Sequence, residues 1–312
     1  MVRFSIIIPH YNIPGYLEKQ LESTPYDRDT VEVIVVDDRS DKELDKLLEI
    51  KKRFKSLGIR FYRNNRGKKG AGRCRNIGIK HSSGKWLIFA DSDDFFPNDF
   101  YNTLSLHENS ESDIVYFRSL SIDERGNRIS GRGNGYNRRI SEFKNDKTRR
   151  NELLLRYDVP VPWGKMIKKE MVDLYGIRFD ETPVSNDVMF SVKCGYFAKE
   201  IEVGEEYLYY VREREGSLTT TFDEDKFRLR TDIFVKMCTF LKHSLSKEDW
   251  ELLGFNGNIR LIEAFQRGYS MGSYLYIIRK LAFNGIKPVS LKGMSFKTAP
   301  DTLKRIIYEK RR

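Results

Sequence analysis

The sequence predicts an α/β fold: a Rossmann-like, mostly parallel central sheet flanked by helices, followed by a helical C-terminal region. Three observations carry that prediction. Continuous β-rich apolar runs alternate with segments of helical spacing through the first part of the chain. Each of those runs stops abruptly in polar or charged residues. From Asp225 onward the period is helical only.

Residues 4–9 and 31–36 are continuous β-rich runs, of the kind buried on both faces of a parallel sheet. Helical spacing occupies 16–23 and 42–54, with Leu44, Leu47 and Leu48 expected on one face of the second helix. Residues 59–62 read as a third strand, 71–81 as a helix and 86–90 as a fourth strand. An open doubly wound sheet binds ligands beyond the carboxyl ends of its strands. The polar residues fall there: His10, Tyr11 and Asn12; Asp37 and Asp38; residues 63–72; and Asp91, Asp93 and Asp94. After a fifth strand at 113–117 the pattern loosens. Residues 126–139, rich in Gly, Asn and Arg, read as a turn or mobile loop. Residues 144–157 read as a helix, 163–167 and 207–212 as strands with a helix near 187–198 between them, and 227–241 and 247–266 as helices.

With 312 residues, 39% of them hydrophobic and 13% aromatic, the chain has a folded composition rather than a disordered one. Fifty-six Lys and Arg against 45 Asp and Glu give a net charge of +11, which suits polyanionic surroundings: nucleic acid, phosphorylated substrates or an anionic membrane face. Cys74, Cys194 and Cys238 are too scattered for a disulfide framework or a zinc site and read as reduced, buried thiols. The opening residues read as a strand, so no signal peptide is expected, and the apolar runs are shorter than the roughly 20 residues that span a bilayer. The expectation is a cytoplasmic protein, soluble or peripheral on the inner face of the cell membrane.

The strongest chemical signal is the carboxylate cluster that ends the fourth strand. Asp91, Asp93 and Asp94 repel one another and lose hydration there, and a hard divalent cation is the natural compensating partner. Strand alternation would send Asp91 and Asp93 to the same side. The competing account is a solvated helix-capping cluster before Pro97.

Four motifs occur in order: Ser5-Ile-Ile-Ile-Pro-His-Tyr-Asn12, Val35-Val-Asp-Asp-Arg-Ser40, Gly72-Arg-Cys-Arg-Asn-Ile-Gly78 and Phe89-Ala-Asp-Ser-Asp-Asp94. Together they resemble the family 2 glycosyltransferases, inverting enzymes with the GT-A fold, and in particular members from bacterial polysaccharide, lipopolysaccharide and capsule biosynthesis. The resemblance implies a nucleotide-sugar donor bound by Pro9, Tyr11, Asn12, Asp38, Arg75, Asp91 and Ser92. It also implies Mn²⁺ or Mg²⁺ on Asp93, and Asp187 as the general base. For Asp38 a helix N-cap is the competing role, and Asp37 stays open between the two. Lys68 and Lys69, with their neighbouring glycines, form either a phosphate-attracting approach to a helix N-terminus or a solvated basic loop.

Asp187 lies in Val184-Ser-Asn-Asp-Val-Met-Phe190, where many members carry Glu-Asp and this chain carries Asn186-Asp187. First-turn helix stabilisation is the alternative role for Asp187. Trp163, Lys165 and Arg214 are candidate acceptor or phosphate contacts, set against a core tryptophan and exposed salt bridges. Many GT-A enzymes complete the metal shell with a histidine after the catalytic region. His10, His81, His107 and His243 all lie elsewhere, so water and the diphosphate are the expected remaining ligands.

The resulting expectation is a metal-dependent inverting glycosyltransferase that moves a sugar, from a UDP-sugar in the first instance, to a glycan or lipid-linked glycan. Residues 1–118 would form the nucleotide-sugar-binding half, 119–221 the acceptor-binding and catalytic half, and 222–312 a helical C-terminal region. The tail at 303–312 has Leu303, Ile306 and Ile307 among five cations, a composition that suits an anionic membrane surface, a solvated cap or disorder. Two other functions compete. A nucleotidyltransferase would use the same acidic cluster, but would carry a Gly-rich turn where this chain has His10-Tyr-Asn-Ile-Pro14. A basic nucleic-acid-binding protein would cluster its cations, whereas here they are spread beside an acidic rim.

Overall fold

The computed structural model describes residues 1–26, 29–123, 131–213 and 223–290. The first half runs β1 (Phe4–His10), α1 (Pro14–Glu22), β2 (Val31–Asp37), α2 (Leu44–Lys55), β3 (Arg60–Arg63), α3 (Ala71–His81), β4 (Trp86–Phe89) and α4 (Phe100–Leu106). The second half continues with β5 (Ile114–Asp123), α5 (Asn134–Asn145), α6 (Arg149–Tyr157), β6 (Lys165–Lys168), α7 (Lys169–Leu174), α8 (Val188–Phe197) and β7 (Ile201–Glu213). Helices α9 (Glu224–Ser244), α10 (Lys247–Leu253), α11 (Asn258–Gln266) and α12 (Met271–Phe283) follow.

The strands make one sheet in the order β3-β2-β1-β4-β6-β5-β7. β1 is parallel to both β2 and β4, and β2 to β3. β6 enters antiparallel between β4 and β5, and β7 closes the sheet parallel to β5. Every residue of β1 and β4 is buried, the polar Ser5 and His10 included, as expected of strands covered on both faces. The chain leaves β1 toward β2 on one side and reaches β4 on the other, so a crevice opens beyond their carboxyl ends. α3 presses onto this part of the sheet: a Cβ on Gly78 would fall 2.3 Å from Ile7 Cγ2, so only glycine permits that approach.

One apolar cluster spans the sheet and its covering helices, from Phe4 to Val211. A second joins Leu153, Leu154 and Tyr157 of α6 and Met189 and Val192 of α8 to the inner faces of α9–α12. The three cysteines are free and buried. Among the described residues, no helix is long and apolar enough to cross a membrane.

Three expectations are corrected. The buried face of α2 is Leu47, Ile50 and Phe54, while Leu44 and Leu48 are exposed; the i, i+3, i+7 set selects the face. The expected loop at 126–139 gives way to α5 from Asn134, its Tyr136, Ile140 and Phe143 buried, and residues 124–130 lie outside the described residues. The continuous helix expected at 247–266 breaks at Gly254, which takes a left-handed φ of 64°. Gly257 seats so closely on Leu281 and Pro288 that a Cβ would be 2.4 Å from each.

Candidate active site

The rim beyond β1 and β2 is built from neighbouring residues with different partners. Asp37 is buried, with His10 Nδ1 3.3 Å from its Oδ1, the Ser40 amide at 3.4 Å, and Lys51 and Arg63 each at 3.8 Å. Burial pushes its carboxyl up, but the hydrogen bonds and Lys51 outweigh that and hold it down at about 2. Asp38 accepts from Asn64 Nδ2 at 2.7 Å through one oxygen and from the Gly70 amide at 2.7 Å through the other. It therefore fastens loop 64–70 across the crevice. Neither residue caps α2, whose N-cap is Glu43.

Asn64 itself is fully buried, donates to Lys68 O at 3.0 Å, and keeps its Oδ1 without a hydrogen-bond partner among the described atoms. Asn12, at φ 56°, accepts from the Asp41 and Lys42 amides and donates to Asp41 Oδ1, closing the 40–42 turn. Pro9 is buried in β1. Tyr11 is exposed, with Lys69 Nζ 4.7 Å over its ring.

The expected alternation of Asp91 and Asp93 does not hold. β4 ends at Phe89, and the Asp94 amide bonds back to Asp91 O at 3.1 Å in a tight turn. Asp94 is the inward carboxylate: Tyr209 donates to its Oδ2 at 2.7 Å and the Arg212 amide to its Oδ1 at 2.8 Å. Burial, then the charges of Asp93 and Asp91, raise it well above the usual carboxylate range. It is not a helix cap, since Asp99 holds that place for α4. The Asp91 amide donates to Tyr209 Oη at 2.7 Å, and Arg212 Nε donates to Asp93 O at 3.1 Å. Tyr209 and Arg212 thus brace the turn from behind, while Ser92 is buried within it. Sequence reasoning missed both residues.

Arg75 joins the two halves of the site. It projects from α3, pairs with Asp91, and donates through Nη1 to Asn186 Oδ1 at 2.8 Å. Gly72, one turn earlier, makes this possible: a Cβ there would be 2.2 Å from Asp180 O and 3.0 Å from Asn186 Cβ. Loop 180–186 therefore lies directly on α3. Ser185 adopts φ 50°, an uncommon conformation for a residue with a side chain, immediately before Asn186 and Asp187. Asp187 occupies the N-cap position of α8 without making a side-chain cap bond. Burial raises its carboxyl above the ordinary value, Arg75 and Lys165 pull it back, and Asp91 adds to the rise.

Trp163 and Lys165 lie beneath this rim. Trp163 is buried and stacks on Tyr209, with ring centroids 5.5 Å apart and planes 10° apart. Lys165 is buried too, donating to Val161 O at 2.7 Å with Nζ 5.0 Å from the Tyr116 ring centre. Burial pushes it down to about 8, with Cys194 and Asp187 opposing. Arg214 lies outside the described residues.

Among the described residues no three His, Cys, Asp or Glu side chains converge as a ready-made metal cage. The donor set still suits a hard divalent ion. Asp93 and Asp91 stand on a turn fixed from behind, and such ions commonly complete their shell with phosphate and water.

Residues 5–175, more than half of the chain, match the family described as Glycosyl transferase family 2. Glycosyltransferase GlyA of Streptococcus pneumoniae serotype 4 is 26% identical over 247 residues, 77% of this chain and 34% of GlyA. The poly(ribitol-phosphate) beta-N-acetylglucosaminyltransferase TarS of Staphylococcus aureus is 25% identical over 222 residues, 69% of this chain and 36% of TarS. The chain thus spans about a third of the length of these two relatives.

In fold, it resembles S. aureus TarS 1-349 in complex with UDP-GlcNAc, with a TM-score of 0.67 at 19% identity, covering 98% of this chain and 84% of that one. A mannosyltransferase of Pyrobaculum calidifontis in complex with GDP-Man and Mn²⁺ gives 0.56 at 14% identity, covering 98% and 80%. The mostly parallel sheet, the carboxylate turn at its switch point and the family match agree: the chain belongs to glycosyl transferase family 2 and is a glycosyltransferase of the GT-A fold.

Proposed function

We propose that this glycosyltransferase moves a sugar from a nucleotide-diphospho-sugar, a UDP-sugar, to a hydroxyl of a glycan or lipid-linked glycan, with inversion at the anomeric carbon. One observation carries the reading: Arg75 bridges Asp91 on the first half of the sheet and Asn186 on the second, which brings Asp187 beside the carboxylate turn. In this reading residues 1–118 hold the donor, 119–221 present the base and the acceptor, and 222–312 support them.

Asp38, Asn64 and the 64–70 loop fit the base and ribose. Tyr11 supplies an exposed aromatic face, and Asp91 accepts from ribose or sugar hydroxyls. The acceptor oxygen attacks the anomeric carbon from the side opposite the diphosphate. Asp187 takes the proton of that hydroxyl, and the nucleoside diphosphate leaves with the electron pair of the broken C–O bond. A divalent ion on Asp93 would stabilise the negative charge developing on the leaving diphosphate. Tyr209 and Arg212 hold the turn in register for it. The raised carboxyl of Asp187 makes it a better proton acceptor than an exposed aspartate, while the charge of Arg75 opposes that rise and favours the ionised form. The UDP-GlcNAc complex of TarS supports trying UDP-GlcNAc first.

The test is calorimetric titration of UDP with Mn²⁺, with Mg²⁺ and with EDTA, on the wild type, Asp93→Ala and Asp187→Asn. Metal-dependent UDP binding that Asp93→Ala removes and Asp187→Asn keeps is the expected result. Silence towards UDP, GDP and dTDP under all conditions would sink the donor assignment.

A further inference from the structure

We propose that the outer face of α12 docks the protein on an anionic phospholipid bilayer. Two independent features point to this face. The first is apolar. Ser273, Ile277 and Leu281 turn inward, and the opposite side carries Met271, Leu275 and Ile278, at i, i+4 and i+7. These three are 73%, 50% and 41% exposed, and Phe283 at the helix end is 92% exposed. A row of large aliphatic side chains left in water marks an interaction surface rather than scattered exposure.

The second feature is charge. Residues 258–312 hold twelve of the 56 Lys and Arg but three of the 45 Asp and Glu; among the described ones, 258–290, five cations stand against Glu263. The preceding 257 residues are close to balance, with 44 against 42. Arg279 flanks the apolar row on α12, and Lys287 follows the helix, both exposed.

These features select the partner. A nucleic acid would answer the cations but leave Met271, Leu275 and Ile278 in water. A second copy of the chain would cover the apolar row by bringing like charge against like charge. An anionic bilayer satisfies both: the row enters the boundary between headgroups and acyl chains, and the cations meet the headgroups. The proposal does not depend on which donor or acceptor the enzyme uses.

The experiment is co-sedimentation of the full chain with vesicles of phosphatidylcholine alone and with about one third phosphatidylglycerol added. The wild type is expected to pellet with the anionic vesicles only. Leu275→Asp/Ile278→Asp and, separately, Arg279→Glu/Lys287→Glu are expected to lower the partition coefficient by about tenfold or more. All four positions are solvent-exposed, so the variants should melt like the wild type, and the melt is recorded alongside. Absence of wild-type binding, equal binding to neutral vesicles, or undiminished binding by the Leu275→Asp/Ile278→Asp variant overturns the proposal. So does a wild-type dimer that this variant dissociates without any vesicle binding.

Discussion

Adjacent aspartates show how little residue type says about role. Asp37 is enclosed by His10, Ser40, Lys51 and Arg63, whereas Asp38 spends both oxygens on the loop that borders the crevice. Asp37 is held at about 2 against an ordinary 3.8, so the stability it contributes is present above 3.8 and is lost as the pH falls toward 2. Asp37→Asn should cost up to about 2 kcal/mol at neutral pH in urea denaturation, a difference that closes across that acidic window. Asp187 moves the other way, and its proton must be off for it to act as a base. The acid limb of the pH–rate profile should therefore lie above the ordinary aspartate value, with activity falling as the pH drops through it. Because Arg75 holds Asp187 down, Arg75→Met should push that limb to still higher pH. An unmoved limb in that variant would separate Arg75 from the base.

The carboxylates were legible in the sequence, since three of them end an apolar run. Their division of labour was not. Asp94 is claimed by Tyr209 and Arg212, 115 and 118 residues away, and no local spacing encodes such a partnership.

Among the elements, α3 does the most to assemble the site. Its residue range was readable from spacing and from the glycines that precede it. Its two contacts through Gly72 and Gly78 needed the fold to be seen. Gly72→Ala forces a Cβ to within 2.2 Å of Asp180 O, a backbone atom that cannot swing aside. The expected result is a loss of about 1–3 kcal/mol in thermal or chemical denaturation. A fall in kcat should accompany it, as loop 180–186 carries Asn186 and Asp187 away from Arg75. If kcat held while stability fell, the packing of α3 would be separable from the chemistry. β5 extends beyond its expected end because Arg118, Ser119 and Ser121 continue the pairing without an apolar signal, and β7 begins early, at Ile201, where it pairs with Ile114. The break between α10 and α11 was hidden in the same way, as two glycines scattered in a helical period become decisive only where Leu281 and Pro288 crowd one of them.

For the whole molecule, β6 is the antiparallel strand that sutures β4 to β5 and so joins the two parts of the sheet. The polar motifs of the first half were readable because each strand end delivers its polar residues locally. The second half was harder, since its core is shared with the C-terminal helices: Leu153, Leu154 and Tyr157 of α6 and Met189 and Val192 of α8 pack with Phe227, Leu241 and Ile277. A chain truncated after residue 222 would bare those side chains to water. It should aggregate or lose its cooperative melt, while the full chain unfolds in one transition by calorimetry. Two well-separated transitions in the full chain would instead mark the helical region as autonomous.

Lys165 gives the molecule a built-in tension between endurance and speed. Its ammonium is shut away with Val161 O and the Tyr116 and Tyr136 rings for company, and at about 8 its folded value sits below the ordinary 10.5. Keeping it charged at neutral pH works against folding, and that penalty fades as the pH rises through 8. Yet its charge also helps to hold Asp187 ionised. Lys165→Met should therefore yield a protein that melts higher and turns over more slowly, measured as Tm against kcat on the same preparation. A search for sturdier variants of this enzyme that scored survival alone would find that substitution early and discard the catalyst with it.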